Sequence, residues 1–482
     1  MGKLLNKLKN MPLPVKASLA YTICSILQKS IGLITMPLFT RIMSEEQFGV
    51  HTVYANWTGM FMIILTLNLA YGSFSTAMIR FEKERDAYIS AIQGISCVLV
   101  AGFLLIYVPF RTFINNHILS LGTPFVILMV AEVIGSFAIA CWQGKKRFEF
   151  KYKSIVLLTL CMSVISPVLA YFLVKASTPN NQGFGRIIGY ALITVIVGMA
   201  IFLFNMLKGK KLFSRKYWKY ALGFNIPLIP YYLSQYVFSS SDVIMITYFR
   251  GKGDAGIYSV GYKLALVLTV ILNAVNDSYV PWLYGRIRAG KQEENKKVSN
   301  GIALLMAVLL LGVTIMAPEI IGILADEKFI NAMWVVPPVA MSILLLFYSQ
   351  LFINIQFYYE EKMLLVYGSI GAALVNVLLN WLLVPKFGFV AAAYTTLVSY
   401  GVFALCNYYA MKYSLSVHER PNNSCDLRGL SVILAGYAAL AFVAVVLYPY
   451  PVVRYAIVVA VLAALYILRN RIIAFLKTLK NR

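Results

Sequence analysis

Five charged residues lie inside stretches of the chain that are otherwise almost free of charge. Two are cations, Lys29 and Lys263, and three are carboxylates, Glu132, Asp242 and Asp277. A charge among apolar residues is energetically costly, so it persists where it pairs, meets water or binds a ligand. The chemistry that these residues suggest is therefore ion pairing, proton or sodium binding, or contact with a charged substrate.

Lys29 continues a polar stripe on the first apolar stretch. Three hydroxyl residues precede it at helical spacing, namely Ser18, Thr22 and Ser25. Steps of three and four residues place all of them on one helix face, which therefore meets water or a ligand in preference to lipid. Glu132 lies at comparable depth in a later stretch, so an ion pair with Lys29 is the structural alternative to substrate contact.

A second polar face contains Gln235, Ser239 and Asp242, again at steps of four and three residues. Lys263 reaches similar depth in the next stretch, so Asp242 and Lys263 are expected either to form an ion pair or to act in transport. Asp277 has no obvious basic partner within the apolar stretches. It is a candidate for proton or Na⁺ coupling, with a solvated position at the inner end as the alternative.

Metal, disulfide and nucleotide chemistry find no support in the sequence. The six cysteines form no CxxC pair, the three histidines are scattered, and no GxxxxGK[ST] loop occurs. We therefore expect no cofactor and no metal site, apart from the H⁺ or Na⁺ coupling just described.

The composition of the chain indicates what kind of segments carry these residues. Of 482 residues, 60% are hydrophobic and 13% are charged, and the formal net charge is +24. So much apolar surface excludes a soluble chain and makes nucleic acid an unsuitable partner, whereas a lipid bilayer suits both the apolar stretches and the basic loops. Barrel strands would alternate in hydropathy, which these segments do not.

Fourteen stretches are long enough to cross a bilayer as helices, which needs about 20 residues. They are 17–40, 52–79, 87–110, 112–131, 154–174, 187–207, 220–241, 255–284, 298–318, 329–359, 363–385, 387–411, 429–453 and the shorter 455–468. With the N-terminus inside, 32 of the 43 Lys and Arg residues fall on cytoplasmic segments. Both termini are thus expected in the cytoplasm, with the first helix uncleaved.

Two short matches indicate an internal repeat. Gly49 aligns with Gly256 in the turns after spans 1 and 7, and Gly185 aligns with Gly388 in the turns after spans 5 and 11. Six spans separate the copies, so both enter the bilayer from the same side, as parallel repeats do.

The predicted organisation is all-α, with two six-helix lobes and two further helices. The N-lobe covers 1–207, a cytoplasmic linker 208–219, the C-lobe 220–412, a second linker 413–428, and spans 13 and 14 with a basic tail 429–482.

Two segments at the repeated turns carry a family resemblance, "PLFTRIMSEEQFGVHTVYANW" and "SSSDVIMITYFRGKGDAGIYSVGYKLA". With the span pattern of six, six and two, the chain resembles the polysaccharide flippases of the multidrug, oligosaccharidyl-lipid and polysaccharide exporter superfamily. The resemblance implies alternating access of two lobes that flip an undecaprenyl-diphosphate-linked oligosaccharide across the bacterial plasma membrane, for O-antigen, capsule or a similar polymer. It also implies that spans 13 and 14 contact the lipid tail, and that a polymerase and glycosyltransferases work in the same pathway.

A diphosphate substrate requires cations and polar groups in the cleft. We therefore expect Lys29, Lys263, Ser25 and Gln235 to contact substrate, while Asp242, Glu132 and Asp277 serve in ion pairs or coupling.

Two alternatives remain. A multidrug antiporter of the same superfamily usually has twelve spans and an acidic ion site in its N-terminal half, for which Glu132 is the candidate. A membrane glycosyltransferase or polymerase would need a catalytic acid or base, often in a large external loop. No external connection here exceeds about a dozen residues, which argues against an enzyme.

Overall fold

A computed structural model describes residues 13–291, 293–359, 363–418 and 425–457, together with residue 459. These residues form helices and turns, and no strand occurs among them. The all-α prediction is confirmed.

The helices of the N-terminal half are α1 (Leu13–Ile42), α2 (Glu45–Thr66), α3 (Phe74–Arg80), α4 (Arg85–Phe113), α5 (Thr123–Phe148), α6 (Tyr152–Ala176), α7 (Gln182–Gly209) and α8 (Arg215–Asn225). The helices of the C-terminal half are α9 (Ile229–Arg250), α10 (Lys252–Leu266), α11 (Leu268–Arg288), α12 (Glu294–Ile315), α13 (Ala317–Leu324), α14 (Val336–Tyr358), α15 (Met363–Phe387), α16 (Phe389–Val417) and α17 (Leu427–Val446).

Eleven segments of the described chain are long and apolar enough to cross a membrane. Two more predicted spans, 52–79 and 220–241, overlap the helices α2 and α9, each of which has 22 residues and is long enough to cross a bilayer. The last predicted stretch, 455–468, lies outside the described residues except for 455–457 and 459. The described helices are thus compatible with fourteen spans.

Two predicted span boundaries were wrong. The charge-free stretch 52–79 is broken at Leu67 and Asn68, whose φ values of 48° and 52° end α2 in the left-handed region. The stretch 220–241 contains a 3₁₀ turn with Pro227 inside it, and α9 begins only after that turn. Proline lacks the N–H that a continuous helix needs, and a count of charge-free residues does not register this break. Asp242 consequently lies near the middle of α9.

The described chain forms two compact units. Unit 1 comprises residues 1–236 with 251–256, and unit 2 comprises 237–250 with 257–482, each including residues outside the described ranges. Unit 1 contains α8, because Trp218 donates a hydrogen bond to the Ala91 carbonyl of α4 and Tyr217 is buried among α3 and α4 residues. The boundaries of the predicted lobes and linkers stay a prediction.

The glycines of the first repeat match touch one another within unit 1. A Cβ on Gly49 would lie 1.8 Å from the carbonyl oxygen of Lys252, and a Cβ on Gly256 would lie 2.6 Å from that of Glu45. Small residues allow this close backbone approach between helices. The sequence alignment of the two turns therefore corresponds to a physical contact between the start of α2 and the start of α10.

Candidate functional site

The Asp242 carboxylate lies in a buried polar cluster of unit 2. Asp242 is 2% exposed. Its Oδ2 accepts hydrogen bonds from the hydroxyl of Tyr258, at 2.5 Å, and from that of Thr396. Its Oδ1 accepts from the amide of Asn380, at 2.6 Å, and from that of Asn376, at 3.4 Å. The donors described for this carboxylate are therefore all uncharged.

A second set of hydrogen bonds orients the two amides. Ser241 donates to Oδ1 of Asn376, and Thr395 donates to Oδ1 of Asn380, each at 2.5 Å. Because the amide oxygens accept from these hydroxyls, the amide NH₂ groups are free to point at Asp242. Asn376 and Asn380 are four residues apart on α15, so they share one helix face.

The cluster holds one carboxylate among uncharged polar groups. A single buried carboxylate is costly unless its charge is neutralised, and hydrogen bonds offset only part of that cost. The described hydroxyl and amide groups around Asp242 present their hydrogens to it, so its charge is balanced only by hydrogen bonds from uncharged donors. H⁺ or Na⁺ coupling at Asp242 stays a prediction.

Most of this cluster was missed in the sequence. Asp242 was singled out, but its partners Tyr258, Asn376, Asn380 and Thr396 were not. A usable signal was present, since two asparagines one turn apart within an apolar helix are costly unless they face a polar partner.

The predicted partner of Asp242 is not among its described contacts. Lys263 lies on α10 and is exposed. The described hydrogen bonds to the Asp242 carboxylate come from hydroxyl and amide groups of α10, α15 and α16, and the pair with Lys263 stays a prediction.

Glu132 of unit 1 also has an uncharged partner. The hydroxyl of Tyr54, a buried residue of α2, donates to Glu132 Oε2 at 2.7 Å. The alternative pair with Lys29 stays a prediction, because the side chain of Lys29 lies outside what the structure describes, although its backbone is part of α1.

The remaining predicted site residues lie on three different helices. Ser25 is exposed on α1, Gln235 is partly buried on α9, and Asp277 is exposed on α11. Their proposed roles in substrate contact or coupling stay predictions.

Each unit contains a cavity. In unit 1, α1, α6 and α7 enclose about 230 Å³, with polar groups from Gln28, Thr35, Ser163, Ser166, Tyr190 and Thr194. In unit 2, α14, α16 and α17 enclose about 240 Å³ with mostly apolar walls that include Leu345, Phe352, Leu405, Leu430 and Leu434. The cavity of unit 1 therefore carries more polar groups than the cavity of unit 2, which is almost wholly apolar.

The sequence profile of the family described as "Polysaccharide biosynthesis protein" matches residues 15–284, which is more than half of the chain. The chain belongs to this family. The match covers α1 to α10 and most of α11, including Glu132 and Asp242. The resemblance inferred from the sequence is confirmed.

Two relatives match most of the length of this chain. It is 21% identical over 383 residues to "Lsg locus putative protein 1" of Haemophilus influenzae, covering 75% of this chain and 89% of the relative. It is 19% identical over 436 residues to the "Probable low-salt glycan biosynthesis flippase" of Haloferax volcanii, covering 87% and 88%.

Solved structures share the fold. The "Lipid II flippase MurJ, inward closed conformation" aligns with a TM-score of 0.71 at 13% identity, covering 94% of this chain and 99% of that one. A multidrug resistance MATE family transporter, in its inward-facing conformation, aligns with a TM-score of 0.63 at 14% identity, covering 84% and 99%. The chain is thus a multi-pass helical membrane protein of this fold.

Proposed function

We propose that the protein is a flippase that moves an undecaprenyl-diphosphate-linked oligosaccharide from the cytoplasmic to the outer leaflet of the bacterial plasma membrane. The main support for this proposal is the fold, which matches the Lipid II flippase MurJ over 94% of this chain. The family match to polysaccharide biosynthesis points to the same substrate class. Transport proceeds by alternating access and supplies a surface polymer such as O-antigen or capsule.

The multidrug antiporter alternative has weaker support. The MATE transporters share the fold, but the family profile that matches is that of polysaccharide biosynthesis. The Haloferax volcanii relative is itself named a probable glycan biosynthesis flippase, which favours a glycan substrate.

Transport is coupled to H⁺ or Na⁺ at Asp242 in this proposal. The support is a buried carboxylate whose described donors are the uncharged side chains of Tyr258, Asn376, Asn380 and Thr396. A bound cation would neutralise the carboxylate, and its loss would restore an energetically costly buried charge. Cation binding would thereby favour one conformation over another.

The lipid part of the substrate would contact unit 2. The apolar cavity between α14, α16 and α17 has leucine and aromatic walls, as an isoprenoid chain requires. α17 corresponds to predicted span 13, which the family resemblance assigns to lipid-tail contact. At the other end of the substrate, Lys29, Lys263, Ser25 and Gln235 remain the proposed contacts for diphosphate and sugar.

The orientation and partners complete the proposal. Both termini lie in the cytoplasm, because that orientation places most Lys and Arg residues on the inner side. Glycosyltransferases would supply the lipid-linked unit and a polymerase would consume it. No covalent chemistry is assigned to this chain.

The experiment is a conditional depletion in the native host. Depletion is expected to stop surface polymer display, while lipid-linked oligosaccharide accumulates in the plasma membrane and stays shielded from an impermeant glycan-modifying reagent. Accumulated units that the reagent modifies fully would contradict the proposal, because they would already be in the outer leaflet. Sensitised growth on cationic drugs with normal polymer would support the antiporter instead.

A further inference from the structure

Arg186 is a buried cation near the start of α7 in unit 1. Its side chain is 6% exposed overall. Its Cζ lies 4.2 Å from the ring centroid of Phe39 at the end of α1 and 4.5 Å from that of Phe48 at the start of α2. Both rings are fully or almost fully buried. The guanidinium therefore receives cation–π contacts from two neighbouring helices.

The guanidinium retains unused hydrogen-bonding capacity. Its Nε and Nη1 are buried and have no hydrogen-bond partner in the described part of the chain. No salt bridge described for the structure includes Arg186. Aromatic faces stabilise the positive charge but do not replace the acceptors that each N–H loses on leaving water.

Packing alone does not favour an arginine here. An apolar side chain of similar volume usually serves a buried position as well as, or better than, an ion. Native structures leave few buried donors unpaired, and those that remain are explained by a ligand, water or function. The position therefore suits a residue whose acceptor arrives from outside the protein.

A polar cavity lies close to this arginine along α7. Tyr190 is four residues further on and thus on the same helix face as Arg186. Its ring packs 6.1 Å from that of Phe39, and it lines the 230 Å³ cavity together with Thr35 and Gln28. Tyr190 also accepts a hydrogen bond from Arg186, so these polar groups adjoin a cation whose Nε and Nη1 have no described partner. This combination is suited to an anion with several acceptor oxygens.

We propose that Arg186 binds the diphosphate of the lipid-linked substrate, which reaches it from the cavity lined by Tyr190. The assignment rests on the proposed function. Phe48 covers the guanidinium in this conformation, and the neighbouring Gly49 packs against the Lys252 carbonyl. Movement at the start of α2 would uncover the two donors, so that diphosphate binding and the conformation of this helix are linked.

Binding to the purified full-length protein tests this assignment. The probes are undecaprenyl diphosphate, undecaprenyl phosphate and inorganic pyrophosphate, and the variants are Arg186→Met, Arg186→Lys and the control Arg111→Met. Arg111 is exposed on α4 and has no part in the cluster.

We expect wild type to prefer undecaprenyl diphosphate over the monophosphate, and pyrophosphate to compete. Arg186→Met should weaken diphosphate binding at least tenfold, remove the competition and leave the ligand-free Tm equal or higher. Arg186→Lys, which keeps the charge, should lose less affinity, and Arg111→Met should match wild type. If Arg186→Met does not accumulate, Arg186→Gln replaces it with the same expected loss.

The outcomes separate this inference from the proposed function. Equal diphosphate affinity in wild type and Arg186→Met would overturn the role of Arg186 alone. Competition by pyrophosphate that persists in Arg186→Met would place the diphosphate elsewhere. Failure of wild type to bind either lipid would overturn both the inference and the proposed function.

Discussion

Replacing Asp242 by asparagine is expected to uncouple transport from its ion gradient while the protein stays folded. Asparagine keeps the volume and one acceptor oxygen, and the surrounding hydroxyls of Tyr258 and Thr396 can turn to accept from the new NH₂. Removing a buried charge is itself favourable or neutral. Asp242→Ala, by contrast, leaves the four described donors without an acceptor, at about 1–3 kcal/mol for each unsatisfied group.

The size of the coupling effect follows from the gradient. A tenfold difference in Na⁺ or H⁺ concentration is worth about 1.4 kcal/mol, which supports a tenfold transbilayer ratio of substrate if one ion accompanies one substrate. Asparagine carries no charge that a bound cation could neutralise, so transport by Asp242→Asn should no longer depend on the ion gradient. The transbilayer ratio of substrate in this variant should therefore fall to about one.

The assay is accumulation of a fluorescent lipid-linked oligosaccharide in one leaflet of proteoliposomes with an imposed Na⁺ or H⁺ gradient. Asp277→Asn is the matched variant, because it makes the same substitution at an exposed carboxylate of unit 2. Because Asp277 is the other candidate coupling carboxylate, loss of the response in Asp277→Asn but not in Asp242→Asn would place coupling at Asp277. An Asp242→Asn protein that follows the gradient as wild type does would refute the assignment.

Three further predictions use other parts of the chain. Lys29→Ala should abolish surface polymer display with normal amounts of protein in the membrane, and normal display at native expression would remove Lys29 from the mechanism. Gly49→Val should lower both Tm and flipping rate, because a Cβ would lie 1.8 Å from the Lys252 carbonyl oxygen, whereas unchanged values would show that the contact is dispensable. The pKa of Asp426 lies below its usual range because the Gly429 N–H and the Asn300 amide donate to it. The stability from this helix cap is thus present above the usual carboxylate range and is lost as the pH falls through the folded-state pKa. Asp426→Ala should cost about 1 kcal/mol at neutral pH and little in acid, as the Tm of purified protein measures; a loss independent of pH would contradict this.

The helical membrane architecture could be predicted because each apolar stretch is a local property of the chain. Helix boundaries were harder to predict, because the break at Pro227 and the left-handed turn at Asn68 occur inside charge-free sequence. The glycine match at Gly49 and Gly256 identified turns that prove to be in contact.

The surroundings of Asp242 could be predicted only in part. Helical spacing identified the face of α9 that carries Asp242. The sequence then suggested Lys263 as a partner, because both residues are expected at a similar depth in the membrane. Tyr258 lies on the next helix, 16 residues from Asp242, but the other three donors lie at least 134 residues away, so their convergence is a tertiary property. Nothing local in the sequence indicates that Phe39 and Phe48 bury the guanidinium of Arg186.

Flipping in proteoliposomes that contain only this protein tests the central claim most directly. A lipid-linked oligosaccharide is reconstituted in both leaflets, and an impermeant glycan-modifying reagent reports the fraction that reaches the outer one. The account predicts that the initially protected half becomes modified in vesicles with the protein and stays protected in protein-free vesicles. A protected fraction that persists in the presence of folded protein, with or without an H⁺ or Na⁺ gradient, would contradict the flippase assignment.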